Sequence, residues 1–117
     1  MAKKKFGKEK YEERILNSVN NFFRTQLGDP RFQFVSATKV ELNQDYSQVL
    51  VYWDTFDLSR RDEIDENINL IKKKVRTYLS TVLDVRHVPE VSFSYDSQYV
   101  DEMKITDILD KEKKKQN

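Results

Sequence analysis

The sequence predicts a two-layer α+β sandwich of three strands and two helices, and three observations carry that reading. Apolar residues recur at helical spacing over residues 11–27 and again over 64–83, and at strand spacing over 91–95. Turn chemistry separates these stretches, in Gly28-Asp29-Pro30 and in Asn43-Gln44-Asp45. Two glycines and two prolines in 117 residues suit a few long elements better than many short strands. The expected order is α-β-β-α-β, a three-stranded sheet with both helices on one face.

Residues 1–10 read as a basic disordered arm. Beyond it, Tyr11, Ile15, Leu16, Val19, Phe22, Phe23 and Leu27 keep the i, i+3, i+4, i+7 spacing of an amphipathic helix. Gly28 and Pro30 then end that helix. Residues 31–42, rich in β-branched and aromatic side chains, predict the first strand, and 46–53 the second, joined as a hairpin. Ser59 is the expected N-cap of a long helix, with Asp62 at the capping-box position. The stripe Ile64, Ile68, Ile71, Val75, Tyr78 and Val82 alternates steps of four and three, predicting one helix over about 60–83 with room for a kink.

Pro89 opens the third strand, because proline lacks an N–H and favours extended backbone before it. Over 91–96, Val91, Phe93 and Tyr95 share one face and Ser92, Ser94 and Asp96 the other. The helix between the second and third strands is a crossover, right-handed if those strands run parallel. Residues 99–109 read as either a short helix or a packed tail, and 111–117 as a basic disordered tail, which leaves one domain over 11–110.

Composition narrows the chemistry. Only 38% of residues are hydrophobic and 35% are charged, so a small core sits inside a strongly solvated surface. Without cysteine there is no disulfide, thiolate metal site or thiol nucleophile, which fits a reducing cytoplasm. No apolar run approaches the roughly 20 residues of a membrane helix, and the basic N-terminus lacks the apolar region of a secretory signal. His87 is the only histidine, and no nucleophile motif accompanies it. With Gly7 and Gly28 as the only glycines, no phosphate-cradling loop can form. The expectation is a protein that is not an enzyme, with no metal and no cofactor.

The net charge of +1 conceals segregation. Residues 1–10 hold five lysines against one glutamate, 111–115 four lysines against one glutamate, and 54–66 six acids against two arginines. Lys72, Lys73, Lys74 and Arg76 cluster within the long helix, where Ile71 and Val75 face the core and the basic side chains wrap the exposed side. Such a block attracts phosphate through counterion release, independently of base sequence. Arg86 and His87 add donors at the helix exit, with Arg31 and Lys39 expected to approach. These eight residues are the candidate RNA contacts. An ordinary solvated helix face is the competing explanation for the block. A protein–protein adaptor that does not bind RNA, using the acidic segment 54–66, is the competing function.

Three groups of residues resemble the ribosome-binding factor A family of bacterial small-subunit maturation factors. They are Asp29-Pro30-Arg31-Phe32 with Val40-Glu41-Leu42-Asn43-Gln44-Asp45-Tyr46, then Val49-Leu50-Val51-Tyr52, then Val75-Arg76-Thr77-Tyr78-Leu79 with Val85-Arg86-His87-Val88-Pro89-Glu90-Val91-Ser92-Phe93. The resemblance covers about 14–109. It implies a KH-like domain of the second topological type, without catalytic activity, that binds the immature 30S subunit and 16S ribosomal RNA near its 5′ end. A cytoplasmic monomer that assists rRNA processing is the corresponding expectation. The family often carries an Ala-x-Gly at a kink in the long helix. Here Ile71-Lys72-Lys73 stands in that place.

Overall fold

A computed structural model of the protein describes residues 2–97, with side chains from Gly7 onward. Its elements are α1 (Ala2–Thr25), β1 (Val35–Leu42), β2 (Gln48–Thr55), α2 (Arg61–Ile68), α3 (Lys72–Val82) and β3 (Glu90–Tyr95). The segments expected over 99–109 and 111–117 lie outside the described residues.

The sheet order is β1-β2-β3, with β1 antiparallel to β2 and β3 parallel to it. That is the predicted hairpin followed by a crossover. Alternation decides the faces: Val49, Val51, Trp53 and Thr55 of β2 are buried, as are Val91 and Phe93 of β3. The helices cover this face with Ile15, Val19, Phe22 and Phe23 from α1, Ile64 and Ile68 from α2, and Val75 and Leu79 from α3. Phe22 meets Tyr78 at 5.5 Å between ring centroids, and Phe23 meets Phe93 at 6.3 Å, so aromatic pairs tie α1 to both α3 and the sheet.

Helix α1 also holds the edge strand by its backbone. The Asn20 amide donates to the Ala37 carbonyl at 3.0 Å while its oxygen accepts the Ala37 N–H at 2.7 Å. About two turns earlier, Glu12 accepts the Leu42 N–H at 2.9 Å. Unpaired strand edges invite pairing with other chains, and these two side chains occupy edge groups that the sheet leaves open.

Several boundaries differ from the sequence reading. The helix begins at Ala2, so residues 2–10, read as an arm, are helical; their lysines lack the apolar periodicity on which the reading relied. Residues 31–34 are not strand. Asp29 accepts the Arg31 N–H at 2.9 Å and caps a 3-10 turn over Pro30–Phe32, which drops Phe32 into the core before β1 starts. The strand β2 begins at Gln48 rather than at residue 46, because Tyr46 stands at φ 64° in the left-handed region and closes the hairpin turn. Its ring packs edge-on against Tyr11 at 5.7 Å, a contact that opposes the backbone cost. Ser59 is not the N-cap: it lies inside a 3-10 turn over Leu58–Arg60 and donates to Asp57. Arg60 precedes α2 without any side-chain cap.

The expected long helix is interrupted. A 3-10 turn over Asn69–Ile71 separates α2 from α3 without glycine or proline, and Ile71 sits at φ −95°, ψ −1°. The apolar stripe passes through the break, with Ile68 and Ile71 both buried on either side of the exposed Leu70. A three-residue step matches a 3-10 turn as well as it matches an α-helix, so the core contacts survive the change of helix type.

Candidate nucleic-acid interface

The break sets up the basic surface. Helix α3 starts at Lys72, and Lys72, Lys73 and Lys74 fill its first turn, all three exposed, while Val75 turns inward to full burial. At 100° per residue the three lysines fan across the solvent side, and the positive end of the α3 dipole lies among them. Leu70, 75% exposed, stands two residues before Lys72 as an apolar side chain in a basic setting. Sequence reasoning missed Leu70, although its place off the buried stripe was a usable signal.

Arg76 joins the lysines to the helix exit. One turn beyond Lys72, its guanidinium donates to the Val88 carbonyl at 3.3 Å, so the segment after α3 runs back alongside the helix. That segment carries Arg86 and His87, both exposed, and ends in the buried Pro89 at the start of β3. Lys72, Lys73, Lys74, Arg76, Arg86 and His87 therefore lie on α3 and the strand entry packed along it. Among the described residues, no salt bridge neutralises this set.

Arg31 and Lys39 are held differently. Arg31 grips Asp29 with two nitrogens, at 2.8 Å for the closest contact, and its guanidinium stacks over Phe32 at 5.6 Å. The hydrogen bonds from Arg31 hold the Asp29 carboxyl below its ordinary range, and nearby Lys74 pulls the same way. Glu63 acts on Arg31 in turn. This pair thus borders the junction of α2 with α3, its charge internally compensated. Lys39 is on the opposite face of the sheet, opposite Tyr52, where it pairs with Glu41 at 2.8 Å and lies 5.5 Å over the Tyr52 ring. The structure does not bring it to the lysine cluster, because the bulge between Ala37 and Lys39 turns it outward.

Among the described residues, no group of three histidines and carboxylates is placed to hold a metal, and no helix is long and apolar enough to cross a membrane.

A mixed three-stranded sheet, with the helices of the described residues on one face, and an interrupted helix that starts again in a basic turn define a KH-like α+β domain. The chain belongs to the ribosome-binding factor A family, whose model matches residues 7–109. A ribosome-binding factor A from Pelobacter propionicus is 34% identical over 89 residues, spanning 75% of this chain and 73% of the relative. One from Neisseria gonorrhoeae is 26% identical over 102 residues, spanning 87% and 83%. Among solved structures, a Thermotoga maritima protein assigned to the same family superposes with a TM-score of 0.64 at 29% identity, covering 76% of this chain and 86% of that one. The Thermus thermophilus ribosome-binding factor A crystal structure shares the fold, with a TM-score of 0.68 at 19% identity over 75% and 93%. A homology model of the Thermus protein has been fitted into a cryo-electron microscopy map of its complex with 30S.

Proposed function

We propose that this chain is a non-catalytic ribosome biogenesis factor. In this reading it binds the immature 30S subunit and 16S rRNA near its 5′ end and assists rRNA processing in the cytoplasm. The observation that carries the proposal is the basic surface at the start of α3, which no salt bridge neutralises among the described residues, in a chain of this family. Lys72, Lys73 and Lys74 supply phosphate attraction, Arg76 and Arg86 add forked donors, and His87 and Leu70 supply flat or apolar surface beside them. Arg31 borders the surface as a positioned ion pair, whereas Lys39 contributes from the other face of the sheet or not at all. The adaptor reading differs in its salt response, since an apolar protein contact depends weakly on ionic strength.

The test is the combined variant Lys72→Glu, Lys73→Glu, Lys74→Glu. All three side chains are exposed, so its thermal midpoint stays close to that of the parent. Co-sedimentation with immature 30S particles should fall at least tenfold, and the slope of log affinity against log salt should become shallower by about 2–3. A folded variant that still sediments with 30S at parental affinity assigns the contact elsewhere.

A further inference from the structure

Phe34 and Ser36 alternate with buried Val35 and Ala37, and Asp54 and Phe56 with buried Trp53 and Thr55. All four therefore share the sheet face turned away from the described helices. Among the described residues, Phe56 is 88% exposed and Phe34 51%. The Phe56 N–H donates to the Phe34 carbonyl at 3.2 Å, which makes them cross-strand neighbours at the end of the sheet. They border a cleft of about 150 Å³ walled by Ser36, Thr38, Asp54 and Thr55. A cavity of that order takes a benzene-sized group. Single exposed apolar residues are ordinary, but two adjoining aromatics beside a cleft mark a contact surface.

The chain itself brings an occupant to this cleft. Strand β3 ends beside it: the Asp96 N–H donates to the Trp53 carbonyl at 2.7 Å. Thr38, a wall of the cleft, donates its hydroxyl to the Asp96 carboxylate at 2.7 Å. Beyond that point, residues 99–109 hold Tyr99, Val100, Met103, Ile105, Ile108 and Leu109, six apolar side chains in eleven residues. The family match runs on to residue 109, so this segment counts with the domain. Four extended residues span at most about 13–14 Å, as far as the four-residue step along the sheet edge from Thr38 to Phe34. From Val100 onward, the segment can therefore reach the phenylalanines. A tethered segment also meets such a surface at an effective concentration in the millimolar range, which a free partner must match to displace it. We propose that residues 99–109 fold back over the face that the described helices leave open and seat apolar side chains on Phe34 and Phe56. The segment then forms a third layer of the domain. The proposal stands whether or not α3 contacts RNA.

A double-mutant cycle in the full chain tests it. Phe56→Ser removes the surface side of the contact, and the combined variant Val100→Ser, Met103→Ser, Ile105→Ser removes the segment side. Each should lower the thermal midpoint by about 4 °C or more. Joining them should lower it hardly further, because both break one contact. A change outside the segment, Lys113→Ser with Lys114→Ser, should leave the midpoint at the parental value. The chain has no cysteine, so Met103→Cys supplies a single thiol. Its labelling should be about tenfold slower than that of Lys114→Cys, and adding Phe56→Ser should restore the faster rate. A midpoint that Phe56→Ser does not move leaves the cleft open to another protein and overturns the proposal. Additive losses overturn it too, as does a Met103→Cys thiol that labels equally fast with and without Phe56→Ser. A midpoint that rises with protein concentration, and ceases to do so in Phe56→Ser, would assign the surface to a second copy and likewise overturn it.

Discussion

Helices α2 and α3 rest on the same sheet through one continuous apolar stripe, yet they face solvent with opposite charge. Ile64 and Ile68 of α2 and Val75 and Leu79 of α3 are all buried to within 1%. Outward, α2 shows Asp62, Glu63, Asp65 and Glu66, whereas α3 opens with three lysines. The 3-10 turn over Asn69–Ile71 stands between the two signs. What the contrast teaches is that packing and recognition are written on different residues of one segment. The inward positions are nearly interchangeable between α2 and α3, and the outward ones are not.

The inward equivalence is the easiest to break. Ile64→Ala in α2 and Leu79→Ala in α3 should each cost about 2–5 kcal/mol in urea unfolding, because each removes a fully buried side chain from the same layer. A large difference between the two would mean that one helix is only loosely seated on the sheet. The outward contrast sharpens with a smaller effect. Reversing Asp62, Asp65 and Glu66 to lysine leaves the apolar stripe untouched and should change stability by no more than about 0.5 kcal/mol. RNA affinity should rise in this variant, since α2 would then share the sign of α3. A fall in RNA affinity, measured by filter binding, would show that the acidic face takes part in the RNA contact.

The smallest effect lies at the junction. The Asp29 carboxyl is held low chiefly by its hydrogen bonds with Arg31, and Lys74 of α3 acts in the same direction. A carboxyl with a lowered folded pKa adds stability that is present above the unfolded value of about 3.8 and disappears as pH falls through the lower, folded one. Asp29→Asn should therefore be less stable than the parent at neutral pH, and the gap should close in acid. A gap that stays constant down the acid limb of a thermal-melt series would mean that the loss comes from the 3-10 cap, not from the charge.

Element order was legible because it rests on periodicity: the alternation of Val91 and Phe93 with Ser92, and the stripe from Ile64 to Leu79, allow one arrangement each. Boundaries were less so. Residues 31–34 look like strand by composition, and only the Asp29 side chain, folding back onto the Arg31 N–H, makes them a turn. Ser59 has the right chemistry for a cap but meets Asp57 first. The lysines of α3 were visible as a charge block. The separation of Lys39 from them was not, because it depends on a one-residue bulge in β1. Phe34, Phe56 and Leu58 escaped notice for a different reason. Aromatic and aliphatic residues beside strands are taken as core, and only the fold shows that they stay exposed among the described residues.

The parallel pairing of β2 with β3 has a consequence for synthesis. Val49 finds its strand partner in Val91, far along the chain, whereas Val40 finds Val51 across a short turn. Local pairs form early and distant ones late. A nascent chain that has emerged only as far as β2 can already latch α1 onto β1 through Asn20 and Glu12. The open flank of the hairpin, with Val49, Val51 and Trp53 facing the missing layer, must then wait for the entire crossover and for Pro89 to arrive. During that interval the central strand is an unfinished edge, and the time for which it stays so is set by the pace of translation through residues 56–90.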